Sequence, residues 1–201
     1  MKPLPFILGI AVLISSCSKQ TPAINTSPSA PETIPSAITD GFITYILKAG
    51  SHYADQNPIK ALAISEMNFI VKFDSSAIYQ TVSPENQYDI NKLYGFSEGY
   101  DHHINSARIG WAYHNSALRL YAYVYKNSER LSREISTIPL NTPVKCSITI
   151  SGNNYFFTVN DAKTTLPRAL STELANGYQL YPYFGGDEVA PHDIRIKIKV
   201  L

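Results

Sequence analysis

Cysteine is scarce in this chain: 201 residues carry two, Cys17 and Cys146. Long apolar runs are scarcer still. After the stretch at 4–14 nothing approaches the roughly 20 apolar residues a membrane-spanning helix needs. Neither sign of charge dominates, with 17 Lys and Arg against 16 Asp and Glu and a formal net charge of +1. Without Lys2 the count is 16 of each. Such balance argues against a nucleic-acid partner, whose binding rests on concentrated positive charge. No internal repeat stands out, and no Cys and His spacing matches a strong zinc pattern. What the chain has in plenty is tyrosine, 14 residues of it.

The N-terminus is organised differently from the rest. Lys2 gives a small positive charge, the apolar run at 4–14 has signal-peptide length, and small residues follow. The segment Leu13-Ile14-Ser15-Ser16-Cys17 resembles a bacterial lipobox, with Ile14 in the usual leucine position and the leucine one residue earlier. That resemblance implies cleavage before Cys17 and a diacylglycerol on its sulfur, with further acyl chains such as palmitate securing the anchor. It divides the chain into a lipoprotein signal peptide at 1–16, a lipidated cysteine and tether at 17–37, and a domain at 38–201. Pro22, Pro28, Pro31 and Pro35 keep the tether extended, with a reach of about 60 Å at most at about 3.1 Å per residue. The expected location is the bacterial cell envelope, held by lipid to the outer membrane. Surface lipoproteins of gut Bacteroidetes-type bacteria often carry an acidic run after the cysteine. Here Ser18-Lys19-Gln20 follows instead, and the leaflet stays open. With Cys17 acylated, Cys146 has no disulfide partner and reads as a small buried hydrophobe.

The domain has the period of strands. Ile194, Ile196, Ile198 and Val200 alternate with Arg195, Lys197 and Lys199, the pattern of a half-buried strand. Further strands are expected at 42–48, 62–73, 88–96, 107–113, 118–125, 133–138, 144–150, 155–159 and 178–184. Ser151-Gly152-Asn153-Asn154 and His114-Asn115-Ser116 have the residues of hairpin turns. Only 168–174 and 59–64 look mildly helical. Many short strands joined by turns predict an all-β, two-sheet antiparallel β-sandwich or a barrel.

The order of elements over most of 40–201 resembles the concanavalin A-like lectin/glucanase jelly roll. The residues that carry the likeness are Asn105-Ser106-Ala107-Arg108-Ile109-Gly110-Trp111, Tyr155-Phe156-Phe157-Thr158-Val159-Asn160 and Tyr181-Pro182-Tyr183-Phe184-Gly185-Gly186. The resemblance implies that the first and last strands, 42–48 and 194–200, lie side by side. It also implies a concave sheet face able to hold a polysaccharide or oligosaccharide. Tyr121, Tyr123 and Tyr125 fall on the face opposite Leu120, Ala122 and Val124, and aromatic rings stack on sugar faces. Arg108 and Trp111 precede them across a tight hairpin, where one parity alone shares their face. Gln87, Asp89 and Asn91 share a face of a polar segment, and their amides and carboxylate suit sugar hydroxyls.

Catalytic signals are sparser. Glucanases of this fold place acidic residues as Glu-x-Asp-x-x-Glu on a strand, and that motif is missing here. Lyases of the fold use Arg, Gln, His and Tyr to remove a proton beside a uronate carboxylate. Arg108, Gln87, His103 and Tyr121 have the right chemistry without the family's motifs. Tandem His102 and His103 beside Asp101 would point to opposite faces of a strand, so one ion could bind both only on a loop. No catalytic metal or cofactor is expected. The one metal option is a structural calcium on Asp187, Glu188 and Asp193. The expected function is glycan binding by a membrane-anchored lipoprotein. The alternatives are a polysaccharide lyase or glycoside hydrolase using the same groove, and a protein-interaction module of an envelope complex.

Overall fold

A computed structural model describes residues 40–201, so the expected signal peptide and tether lie outside the described residues. Alternating apolar and polar residues produce twelve strands: β1 Ile43–Leu47, β2 Ala61–Ile64, β3 Glu66–Phe73, β4 Asn91–Ser97, β5 Asn105–His114, β6 Ala117–Lys126, β7 Glu129–Ile138, β8 Val144–Ser151, β9 Asn154–Val159, β10 Ala162–Pro167, β11 Ala175–Leu180 and β12 Ile194–Val200. They form two six-stranded antiparallel sheets, ordered β1-β12-β3-β8-β9-β10 and β2-β11-β4-β5-β6-β7. The first and last strands pair as the resemblance implied, with Ile43 opposite Ile198 and Leu47 opposite Ile194. Ile194, Ile196 and Ile198 enter the core from β12, whereas Val200 is exposed.

Two turns set the register that matters most. Asn115-Ser116 joins β5 to β6 and Asn127-Ser128 joins β6 to β7, and all four residues have positive φ between 50° and 69°. Two successive left-handed residues match the twist of a two-residue hairpin, and Asn tolerates that region better than most residues. The β5–β6 turn puts Arg108 opposite Tyr123, Gly110 opposite Tyr121 and Trp111 opposite Leu120. Directly opposed residues share a face. Arg108 therefore joins the tyrosines, and Trp111 joins the core. This corrects the expectation of a ligand-contacting Trp111: it is 0% exposed and packs on Phe73 at 5.2 Å and Tyr79 at 5.7 Å between ring centroids.

Other expectations shift with tertiary context. The run 62–73 breaks at Ser65, so that β2 and β3 fall in different sheets. Pro84–Tyr88 forms a 3-10 turn, which removes Gln87 from any strand and leaves Asn91 as the first residue of β4. Neither expected helix forms: 61–64 is β2, and 168–174 is irregular chain leading into β11. β10 has no counterpart among the strands expected from the sequence, because its Lys, Thr and terminal Pro hide the alternation. β7 is largely exposed, and its Glu129, Arg130, Arg133 and Glu134 protect a free sheet edge from further pairing.

A buried ion pair clamps the irregular segment. Arg168 donates from Nε to Glu98 Oε1 at 2.7 Å and from Nη2 to Oε2 at 2.6 Å. Its Nη1 donates to the Thr172 carbonyl at 2.6 Å, and the Tyr155 hydroxyl donates to the same Glu98 oxygen as Nε. Both charged side chains are out of solvent. Cys146 lies in the core, and burial raises the pKa of its thiol, which leaves it unreactive at neutral pH.

Candidate functional site

The outer face of the β2-β11-β4-β5-β6-β7 sheet holds a groove of about 380 Å³. Its floor follows from the hairpin register, with Arg108 and Tyr123 directly opposed and Tyr125 two residues on. A bulge between Lys92 and Tyr94 lets Leu93 and Tyr94 both enter the core and returns Lys92 and Gly95 to the groove face. Gly95 is required there. A Cβ would lie 2.1 Å from the Ala107 carbonyl oxygen and 2.7 Å from the Cα of Arg108, so any larger residue would push β4 away from β5. Beyond β11 the chain continues beside β4 through a bridge between Lys92 and Tyr183, and Tyr53 bridges to Tyr183 on the other side. The groove wall thus gains Tyr53, Ile59, Tyr178 and Tyr183.

Lys92 and Arg108 give the groove positive charge. His102 and His103 line it too, and among the described residues no Asp or Glu does. Arg108 is 5% exposed, its Nε is buried without a hydrogen-bond partner, and no carboxylate pairs with it among the described residues. Burial is the largest influence on its charge and lowers its pKa. Lys92 sits with Nζ 5.0 Å from the ring centroid of Tyr123 and 5.8 Å from that of Tyr183. Burial, then repulsion from Arg108 and Arg130, lowers its pKa to about 8. His102 shares a hydrogen bond between Nδ1 and the Tyr178 hydroxyl at 2.7 Å. Burial, with Arg108 nearby, holds its pKa down to about 4.

Of the residues singled out in the sequence for chemistry, the groove brings together His102, His103, Arg108, Tyr123 and Tyr125, and leaves Gln87, Asp89, Asn91, Trp111 and Tyr121 elsewhere. Tyr123 is 2% exposed, a floor residue covered by Lys92. Tyr121 bonds its hydroxyl to His114 Nε2 at 2.8 Å, outside the groove. The stripe β6 provides is therefore mainly a floor. The open rings are Tyr53, 62% exposed, and the half-buried Tyr125, Tyr178 and Tyr183. Tyr125 belongs to the stripe legible in the sequence, whereas Tyr53, Tyr178 and Tyr183 are not visible there as a set because they come from segments far apart in the chain.

The polar segment is structural. Gln87 accepts from Thr81 N and donates to the Tyr79 and Tyr113 carbonyls, beside a separate shallow depression. Asn91 is buried, donating to the Tyr79 hydroxyl and accepting from Gly185 N. Asp89 packs under Gly186, where even a Cβ would lie 1.9 Å from its Oδ2. The three calcium candidates do not converge with unused oxygens. Glu188 accepts from Val82 N, Ser83 N and Asn86 Nδ2, and Asp193 accepts from Ala49 N and Lys48 Nζ. Only Asp187 is left exposed.

No protein-family model matches the chain, and no curated protein sequence does. Its fold does have counterparts among solved structures. Alginate lyase AlyC3 aligns with a TM-score of 0.54 at 12% identity, over 80% of this chain and 74% of that one. A Bacteroides ovatus mixed-linkage glucan glycoside hydrolase of family 16, bound to its G4G4G3G product, aligns at 0.53 and 10% identity, over 80% and 81%. A family 16 endo-glucanase of the same organism aligns at 0.50 and 10%, over 80% of each chain. At such identities the likeness is one of fold, and the fold is the concanavalin A-like jelly roll.

Proposed function

We propose that the groove binds an anionic polysaccharide or oligosaccharide, with Arg108 and Lys92 taking its carboxylates and the open tyrosines stacking on its sugar rings. One observation carries the reading: Arg108, 5% exposed and without a carboxylate partner among the described residues, lines a groove that no carboxylate lines. A buried charge without a partner is costly, so an anion from outside is the missing partner. Tyrosine supplies apolar area with a polar rim, which suits sugar faces. Jelly-roll neighbours include an enzyme named for alginate and others named for glucans, and the charge of this groove favours the acidic class. Affinity electrophoresis of residues 38–201 through gels containing acidic or neutral polysaccharides tests it. Retardation by the acidic gel alone, lost in Arg108→Met, supports the reading.

Cleavage by β-elimination is a second reading, favoured by the His102–Tyr178 hydrogen bond beside Arg108. Arg108 would neutralise a uronate carboxylate, the imidazole would take the proton on the adjacent carbon, and the phenol would protonate the leaving glycosidic oxygen as the C–O bond breaks. The product would be an unsaturated uronate, so a rise in ultraviolet absorbance during incubation separates a lyase from a binder. Hydrolysis by paired carboxylates about 5 Å apart has no residues to perform it in this groove.

The domain works from a membrane. Lipid on Cys17 would hold it at the end of the 18–37 tether in the envelope, on the strength of the lipobox-like Leu13–Cys17 segment. Radiolabelled palmitate incorporated by the natural chain and absent from Cys17→Ala supports this anchor; label retained by the variant would contradict it.

A further inference from the structure

Between β4 and β5 the chain turns through 98–104, and this turn changes what the tandem histidines can do. On a strand His102 and His103 would face opposite ways. On the turn their ring centroids stand 4.1 Å apart. Asp101 joins them, and one donor atom from each of the three residues lies within 4.8 Å of the other two. We propose that Asp101, His102 and His103 form a site for a zinc-like divalent cation on the rim of the groove.

The donor set selects the ion. Two imidazole nitrogens and one carboxylate suit zinc and its first-row neighbours, whereas calcium takes six to eight oxygens. Three protein ligands leave a fourth position open, as in zinc sites that engage a further ligand. The surroundings supply an orienting partner as well. Tyr178 holds His102 Nδ1 through its hydroxyl at 2.7 Å, which fixes the ring and leaves Nε2 for the metal. Ser106 Oγ donates to the His102 carbonyl at 2.7 Å and anchors the turn to β5. Asp101 and His103 are exposed, with His103 Nδ1 3.5 Å from Asp101 Oδ1.

The position gives the ion a use. His102 and His103 both line the groove, and the His103 ring lies edge-on to Tyr125 at 5.3 Å between centroids. A metal there would add positive charge beside Arg108 and offer its open position to a carboxylate or hydroxyl pair of the bound glycan. That use rests on the anionic-glycan reading; cation binding itself does not.

The test is calorimetric titration of the full chain, in detergent and without any polyhistidine tag, with Zn²⁺ and no glycan present. One ion per chain is expected, with affinity falling about 100-fold or more in His103→Ala and in Asp101→Asn, given that even outer partners of metal ligands are worth 10–100-fold. His192→Ala, at a histidine outside the groove, should bind as the natural chain does. Co²⁺ should give the visible absorption of a four-coordinate site in the natural chain and lose it in His103→Ala. Absence of zinc binding, or binding indifferent to both substitutions, overturns the proposal. Zinc binding in a protein that no acidic polysaccharide retards would keep the metal site and sink the glycan reading.

Discussion

Replacing Arg108 by Met should weaken ligand binding and strengthen the fold, two effects of opposite sign from one change. Arg108 is buried, has no carboxylate partner among the described residues and leaves Nε without an acceptor. Taking an ion out of water costs several kcal/mol, and buried ionic groups replaced by apolar ones of similar volume often give back about 1–4 kcal/mol. Met preserves most of the stem's packing between Gly95 and Tyr123. A gain of about 1–3 kcal/mol would raise Tm by roughly 3–10 °C in a domain of this size. Against that, a charge-assisted hydrogen bond to a ligand carboxylate is worth about 1.5–3 kcal/mol. Its loss weakens binding of an acidic glycan by roughly 10- to 150-fold. Thermal denaturation by circular dichroism and titration calorimetry with an acidic oligosaccharide measure both. A fall in Tm with unchanged affinity would refute the reasoning, because it would make Arg108 a structural residue satisfied within the protein.

Four further outcomes are expected. Lys92 has a pKa of about 8 in the free protein, so it is charged below that pH and neutral above it. A bound carboxylate raises that pKa, and affinity for an acidic glycan should therefore be full below pH 8 and fall above it by up to about tenfold per unit. Lys92→Met flattens the profile, and Arg108→Met moves the fall to higher pH by removing a neighbouring positive charge. Trp111→Ala should cost about 3–5 kcal/mol in urea unfolding and leave the affinity of the folded protein alone. Tyr53→Ala should do the reverse, losing about 0.5–1.5 kcal/mol of binding and little stability. Arg168→Met strands Glu98 among buried groups and should cost about 3–5 kcal/mol, part of it recovered in the double variant with Glu98→Met; urea unfolding of the natural protein, both single variants and the double variant measures it.

Much of the fold can be read locally. The alternation at 194–200 and the Asn-Ser turn after His114 are properties of adjacent residues, and both survive in β12 and the β5–β6 hairpin. The hairpin even decides between Arg108 and Trp111, once its two-residue length is known. The groove is less legible because distant segments build it. Tyr53 and Tyr183 lie outside the named strands and meet through isolated bridges. Lys92 faces the groove only because a bulge resets the parity of β4. Gln87 and Asn91 misled for a related reason. A polar residue that satisfies buried backbone groups looks, in a sequence, like one that waits for a ligand.

The most direct test of the central claim is titration of residues 38–201 with an acidic and a neutral oligosaccharide of equal length, in the natural protein and in Arg108→Met. The account predicts binding of the acidic sugar alone, weakened at least about tenfold by the substitution. Equal affinity for the neutral sugar, or acidic-sugar binding that survives the loss of Arg108, would contradict it.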